Sequence, residues 1–176
     1  VAGWDRDDNR ELQFLGRAIR LTQTGIELEG DDKHVELIEK EWGMANCNPV
    51  ATPYVKLVAS VTGAQEEAKD MSSSDATLYR RAVARINNIA LDRPDLSFAS
   101  RVASSSMSSS KEGDDQITKR IIGYLKGKPR VAIKYQFQSE AKGITVFTDS
   151  DWAGDKTTRK STSGGVVRRG KHIISW

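Results

Sequence analysis

The chain has 176 residues, 38% of them hydrophobic and 29% charged, which is enough to bury one core or two small ones. No apolar run nears the roughly 20 residues that a spanning helix needs, and no charged-then-apolar leader opens the sequence, so neither a membrane span nor secretion is expected. The net charge of +3 is modest, and the single cysteine, Cys47, excludes an internal disulfide and suits a reducing compartment.

Residues 12–29, LQFLGRAIRLTQTGIELE, alternate apolar and polar around a Thr-Gly turn. Leu12, Phe14, Ile19, Leu21, Ile26 and Leu28 read as one buried face of a β-hairpin. Asp31 or Asp32 offers an N-cap to a short amphipathic helix carrying Val35, Ile38 and Trp42, with Gly43 at its C-terminal stop. From Met44 to Ser74 the periodicity fails, and NPVATP followed by TGAQEEAKDMSSS reads as linker or long loop.

Order returns at Asp75, where Leu78, Ala82, Ile86, Ile89 and Ala90 form a helical stripe and Arg80, Arg81 and Arg85 lie largely off it. Pro94 opens a second helix with Asp95 in its first turn, Phe98, Val102 and Met107 facing inward, and a fraying serine-rich end at 104–110. A third helix runs from about Asp114 to Lys126 on a stripe of Ile117, Ile121, Ile122 and Leu125, closed by Gly127 and Pro129. VAIKYQF at 131–137 alternates as a strand, and ITVFT at 144–148 reads as a strand buried on both sides. GVVRRGKHIISW then forms a hairpin turning near Arg169–Gly170. The sequence order, hairpin, helix, linker, three helices and at least three strands, is that of an α+β protein with one sheet face left uncovered.

Charge is spread unevenly. Residues 1–40 carry six basic and ten acidic side chains, whereas residues 77–136 carry twelve basic and five acidic ones. Such an asymmetry suits a face that meets an anionic partner such as nucleic acid, and it suits a solvated helix surface equally well.

Asp149 and Asp151 stand one residue apart at the end of the 144–148 strand. Positions i and i+2 of a strand face the same way, about 7 Å apart, so the two can share a hard cation. Mg²⁺ takes one or two carboxylates and completes its shell with water and phosphate oxygens. The same spacing also caps backbone groups at strand ends, and spacing by itself favours that second use. No zinc-ligand spacing, phosphate-binding glycine loop or Ser-His-Asp set competes, and His34 and His172 read as isolated surface or packing residues.

The residues 147–165, FTDSDWAGDKTTRKSTSGG, resemble the opening of the ribonuclease H domain of copia-type retrotransposon polyproteins, S-D-x-D-W-A-G-D and then T-R-K-S-T-S-G. Tyr79–Arg80, LDRPDLSFA at 91–99 and KRIIGYLKGK at 119–128 resemble that family's Y-R, R-P-D-[IL]-x-[FY]-A and K-R-x-x-x-Y-L-K-G blocks, in order. FLGRAIR at 14–20 and GMANCNPVATP at 43–53 resemble the end of its reverse transcriptase region.

The resemblance implies four segments. Residues 1–53 would end the reverse transcriptase palm and thumb, 54–74 would link, 75–130 would be the helical thumb or connection, and 131–176 would begin a ribonuclease H-like domain with its first antiparallel strands. It implies an intracellular polyprotein, in a cytoplasmic particle or the nucleus, that copies RNA into DNA and degrades the RNA strand of the hybrid. Asp149 would be the first catalytic carboxylate and a Mg²⁺ ligand in a two-metal hydrolysis. Asp151 matches the motif but receives no catalytic role, and capping the turn that begins at Trp152 is the preferred reading for it.

RNA–DNA hybrid or primer–template and the remainder of the polyprotein would be the partners. Arg159, Lys160, Ser161, Thr162 and Ser163 of the 156–163 loop and Lys119, Arg120 and Lys126 of the third helix are candidate phosphate contacts. The polymerase's Y-V-D-D motif and the other ribonuclease H carboxylates do not occur here, so the chain alone is expected neither to polymerise nor to cleave. The alternative is a non-catalytic nucleic-acid-binding module. Asn87, Asn88, Asp114, Asp115, Arg168 and Arg169 depart from the family pattern, and each would cost packing if buried.

Overall fold

The computed structural model describes residues 3, 9–30, 33–55, 69–154 and 159–176. They fall into two compact units, one built from residues 1–28 and 132–176 and the other from residues 29–131.

In the helical unit, α1 (Lys33–Glu41), α2 (Ser73–Ala90), α3 (Ser97–Ser105) and α4 (Asp115–Gly127) enclose a core of Val35, Ile38, Tyr79, Val83, Ile86, Ile89, Leu96, Ala99, Ala103, Ile121, Ile122, Tyr124 and Leu125. The α1 stripe buries Val35 and Ile38, and Gly43 takes the left-handed φ of 62° just past the helix, where a Cβ would be strained. The expected cap at Asp31 or Asp32 lies outside the described residues. Ser72 caps α2 by accepting the Asp75 amide at 3.1 Å and donating its own hydroxyl to the Asp75 carboxylate at 2.7 Å.

The α2 stripe is turned from its expected position. Tyr79, Ala82, Val83, Ile86 and Ile89 are buried, whereas Leu78 and Ala90 are half-buried. Apolar residues occur at both phases of this helix, and packing against the other helices selects Tyr79 and Val83. Pro94–Leu96 form a 3-10 turn that buries Leu96, and α3 after it buries Ala99, Ser100 and Ala103. Phe98, expected inside, is 53% exposed and meets the Tyr54 ring edge-on.

The segment after α1 is irregular yet docked. The Val50 amide donates to the Gly123 carbonyl at 3.1 Å, and Pro49 and Val50 pack over Gly123 and Gly127. Farther on, residues 56–68 of the expected linker lie outside the described set. Beyond it, Met71 donates to Ser110 and Glu112 to Lys69, so the chain leading into α2 is tied to the loop before α4.

In the other unit, β1 (Glu11–Phe14), β2 (Arg17–Thr22), β3 (Gly25–Glu29) and β4 (Ala132–Gln136) form one sheet in that order, and β5 (Ile144–Ser150), β6 (Ser163–Arg169) and β7 (His172–Ser175) form a second. The expected single hairpin over 12–29 is a three-strand meander. Leu15 and Gly16, at φ of 49° and 75°, make an additional two-residue turn, with Phe14 opposite Arg17. Its expected buried face is open at Leu12, Phe14 and Ile26, which are 46%, 57% and 38% exposed. The addition of β4 beside β3 leaves Gly25 no room for a side chain, since a Cβ there would strike the Tyr135 carbonyl.

The β6–β7 hairpin turns at Gly170 with φ of 59°, close to the expected position. β5, by contrast, is exposed along its whole length, although its sequence reads as buried on both sides. It lies at the edge of its sheet, and a continuous β-branched run satisfies strand geometry without specifying cover.

Candidate carboxylate site and basic loop

Asp149 enters the ladder of β5 opposite Gly164 of β6, and Ser150 stands opposite Ser163. The position facing Asp149 thus carries no side chain, and a Cβ built on Gly164 would meet nothing within 4 Å. The carboxylate is exposed and open to a ligand from solvent.

Asp151 has a different task. Its amide donates to the Thr162 carbonyl at 3.0 Å, and its carboxylate accepts the Thr162 amide at 2.5 Å. It closes the mouth of the loop that begins with Trp152, which is 92% exposed. Ser161 accepts the Ala153 amide at 3.0 Å, and Ser163 donates to the Ser150 hydroxyl at 3.2 Å. Of the candidate loop contacts, Ser161, Thr162 and Ser163 therefore hold the loop closed through their hydroxyls or backbone. Arg159, at φ of 59°, and Lys160 are exposed. Lys156, Thr157 and Thr158 lie outside the described residues.

The candidate cations of α4 are engaged by their own unit. Lys119 pairs with Asp115 one turn earlier at 2.5 Å, Arg120 donates to the Thr52 hydroxyl at 2.9 Å, and Lys126 reaches Glu39 at 3.4 Å. Arg85 similarly pairs with Glu41 at 3.0 Å. Lys119 is the most exposed of these paired cations, and its ion pair contributes at most about 1 kcal/mol, whereas Arg85 and Glu41 are both only about a quarter exposed.

As Mg²⁺ ligands the described residues fall short of a two-metal centre. Among them no three His, Cys, Asp or Glu side chains converge, and Asp151 is committed to a backbone amide. Asp149 suits a single carboxylate contact to a largely hydrated ion, and no catalytic step through a metal follows from this set.

The cluster that pattern reading missed lies in the helical unit. Arg93, only 4% exposed, donates from Nε and Nη2 to the Asp95 carboxylate at 3.0 and 2.8 Å and from Nη1 to the Lys128 carbonyl at 3.1 Å. Tyr124 donates its hydroxyl to Asp95 at 2.8 Å. Burial pushes the Asp95 carboxyl upward, but the hydrogen bonds from Arg93 and Tyr124 and the Arg93 charge outweigh it and hold the group below the usual range. Tyr124 moves the other way, raised by burial and by its bond to Asp95. The R-P-D block and the Y-L-K-G block are thus two halves of one clamp between the start of α3 and the end of α4.

Tyr79 serves the same end. Its hydroxyl donates to the Ala103 carbonyl at 2.5 Å, and burial with the nearby Asp114 charge pushes it up to about 12. The arginine and the proline-flanked aspartate were visible in the sequence, but their partners lie about thirty residues away and carried no local signal.

The residues that depart from the family pattern in this unit are accommodated at the surface. Asn87 accepts from Ser100 and Ser104, Asn88 meets His34 at 3.3 Å, and Asp114 accepts the Lys111 amide at 2.8 Å. In the sheet unit Arg169 is exposed and Arg168 half-buried.

The chain is similar to the uncharacterized mitochondrial protein AtMg00810 of Arabidopsis thaliana, with 33% identity over 93% of this chain and 65% of that protein. It is similar as well to the retrovirus-related Pol polyproteins from transposons RE1 and RE2 of the same plant, with 32% and 30% identity over 96% and 93% of this chain. The chain spans 11% of the length of each of these polyproteins. No protein-family profile and no solved structure matches it.

Proposed function

We propose that this chain, similar over nearly its whole length to retrovirus-related Pol polyproteins of plant transposons, is the junction between reverse transcriptase and ribonuclease H in a copia-type polyprotein. The observation that carries this reading is the homology running through nearly the whole chain, together with an exposed Asp149 at a strand end beside a basic loop. In the whole polyprotein, RNA-directed DNA synthesis and hybrid cleavage would be the activities, primer–template or RNA–DNA hybrid the substrates, and an intracellular particle or the nucleus the setting. Asp149 would provide one carboxylate to Mg²⁺, and further ligands would come from elsewhere in the polyprotein. This chain by itself would neither polymerise nor cleave.

The alternative, a non-catalytic nucleic-acid-binding module, is favoured by exposed Arg159 and Lys160 beside loop ends joined through Asp151 and Ser161. Incubation of the chain with a labelled RNA–DNA hybrid and Mg²⁺ tests both. The expected result is no cleavage, and cleavage that disappears in Asp149→Asn would overturn the inactivity. Filter binding of the same hybrid across salt tests the module: each phosphate contact adds about 0.9 to the slope of log affinity against log salt. A flat profile eliminates the module reading.

A further inference from the structure

His172 opens β7 at the point where the β6–β7 hairpin meets β4, and its neighbours fix its protonation state. One ring nitrogen, Nε2, lies 2.6 Å from the Gln136 carbonyl oxygen. A carbonyl only accepts, so Nε2 carries a proton and donates. The other, Nδ1, lies 3.2 Å from the Gln138 amide nitrogen, which only donates. Nδ1 therefore accepts, and the imidazole is the neutral Nε2–H tautomer.

The Gln138 amide has no freedom to turn over. Its oxygen accepts the Lys171 backbone N–H at 2.8 Å, and its nitrogen donates to the Arg169 carbonyl at 3.1 Å. Reversing it would set donor against donor and acceptor against acceptor at the hairpin turn. Gly170, at φ of 59°, admits this arrangement, since a Cβ there would run into the Gln138 amide. The Tyr135 ring of β4 closes edge-on over the imidazole, with centroids 5.5 Å apart.

We propose that His172 and Gln138 form a pH-sensitive latch joining β4 to the β6–β7 hairpin, closed while the imidazole is neutral and released when Nδ1 takes a proton from solvent. Protonation places a second N–H against the fixed Gln138 N–H, so one hydrogen bond is lost and two donors face each other. The charged residues nearest His172 in the ladder and along the chain are cationic. Arg169 stands opposite His172 in the ladder, Arg168 precedes it on β6, and Lys171 is its chain neighbour. On β4 the nearest charge, Lys134, is paired with Glu27 at 2.9 Å. No described contact of His172 is a carboxylate.

The latch is intact while the imidazole is neutral and is lost when acidification protonates Nδ1. The test is ¹⁵N NMR of the 176-residue chain. At about pH 8 the ring should show the Nε2–H tautomer, and between about pH 8 and 5 the Lys171 amide should lose about tenfold in exchange protection while α4 amides hold theirs.

His172→Phe should abolish this pH dependence. Gln138→Glu offers a second route, because its carboxylate accepts both the Lys171 N–H and a protonated Nδ1. That variant gives up the bond to the Arg169 carbonyl, but its contact with the imidazole should persist on acidification instead of being lost. An Nδ1–H tautomer at high pH, or unchanged Lys171 protection in the unaltered chain on acidification, overturns the proposal.

Discussion

The helical unit and the sheet unit use their motif residues in opposite ways. In residues 29–131, nearly every family-like block ends in a contact with another block. Tyr79 bonds to α3, Arg93 and Asp95 bind α4, and Gly123 and Gly127 receive Asn48, Pro49 and Val50. Those residues hold four helices around one core, so their pattern reports stability. In the sheet unit, the side-chain bonds of Ser150, Asp151, Ser161 and Ser163 among the described residues stay within the D-S-D segment and its loop, and Asp149 faces an open position. Motif strength in a sequence thus mixes two physical demands, close packing and exposed chemistry, that separate only in three dimensions.

The largest expected effect that sharpens this contrast is a pair of core truncations. Ile121 is fully buried, and Ile121→Ala should cost about 2–5 kcal/mol through lost transfer energy and the cavity left behind. Val146 of β5 is 58% exposed, and Val146→Ala should cost no more than about 0.5 kcal/mol. Hydrogen exchange of α4 and β5 amides in each variant checks both. An equal loss from the two substitutions would mean that β5 is covered in solution.

Next in size is the Arg93–Asp95–Tyr124 clamp. Asp95→Ala leaves the buried guanidinium without its carboxylate. The cost should be about 2–3 kcal/mol, at or below the low end for a buried pair because the Asp95 side chain is 27% exposed. The Asp95 carboxyl is held below its ordinary value, so its contribution is fully present above about pH 4, the unfolded range, and is lost as pH falls through the folded value. Denaturant titrations at descending pH should show this acid-side loss in the native chain and a shallower one in Asp95→Asn. Identical slopes would break the assignment of the clamp.

How far the sequence foretells these two units follows the same division. Helices α1 and α4 were legible because a 3.6-residue stripe and a terminal glycine specify both the element and its buried side. In α2 the element was legible but its phase was not, since Leu78 and Tyr79, one position apart, are both apolar and only packing chooses between them. The Leu15–Gly16 turn was hidden because leucine at positive φ is not a turn signal. For β5 the strand was legible and its burial was not, because side-chain shape sets strand preference while cover depends on distant elements. Asp149 could be nominated from its spacing and context, and a backbone-capping use for Asp151 was legible from the same spacing, but its partner, the Thr162 amide eleven residues on, carried no local signal.

The smallest effects compare two glycines. Gly127 closes α4, and a Cβ there would lie 3.0 Å from the Pro49 Cβ and 3.6 Å from the Val50 carbonyl oxygen. Gly127→Ala gains up to about 1 kcal/mol in helix propensity but overpacks the docked segment by about 1–3 kcal/mol, so a net loss near about 1 kcal/mol is expected. Gly164 has open space and no positive φ, and Gly164→Ala should stabilise by about 0.4–1 kcal/mol by narrowing the unfolded ensemble. Opposite signs in thermal or denaturant midpoints would follow from one glycine being chosen by close approach and the other by no packing constraint. A loss at Gly164 as large as that at Gly127 would mean that the position facing Asp149 must stay bare, and that the open flank of the carboxylate is occupied in the working protein.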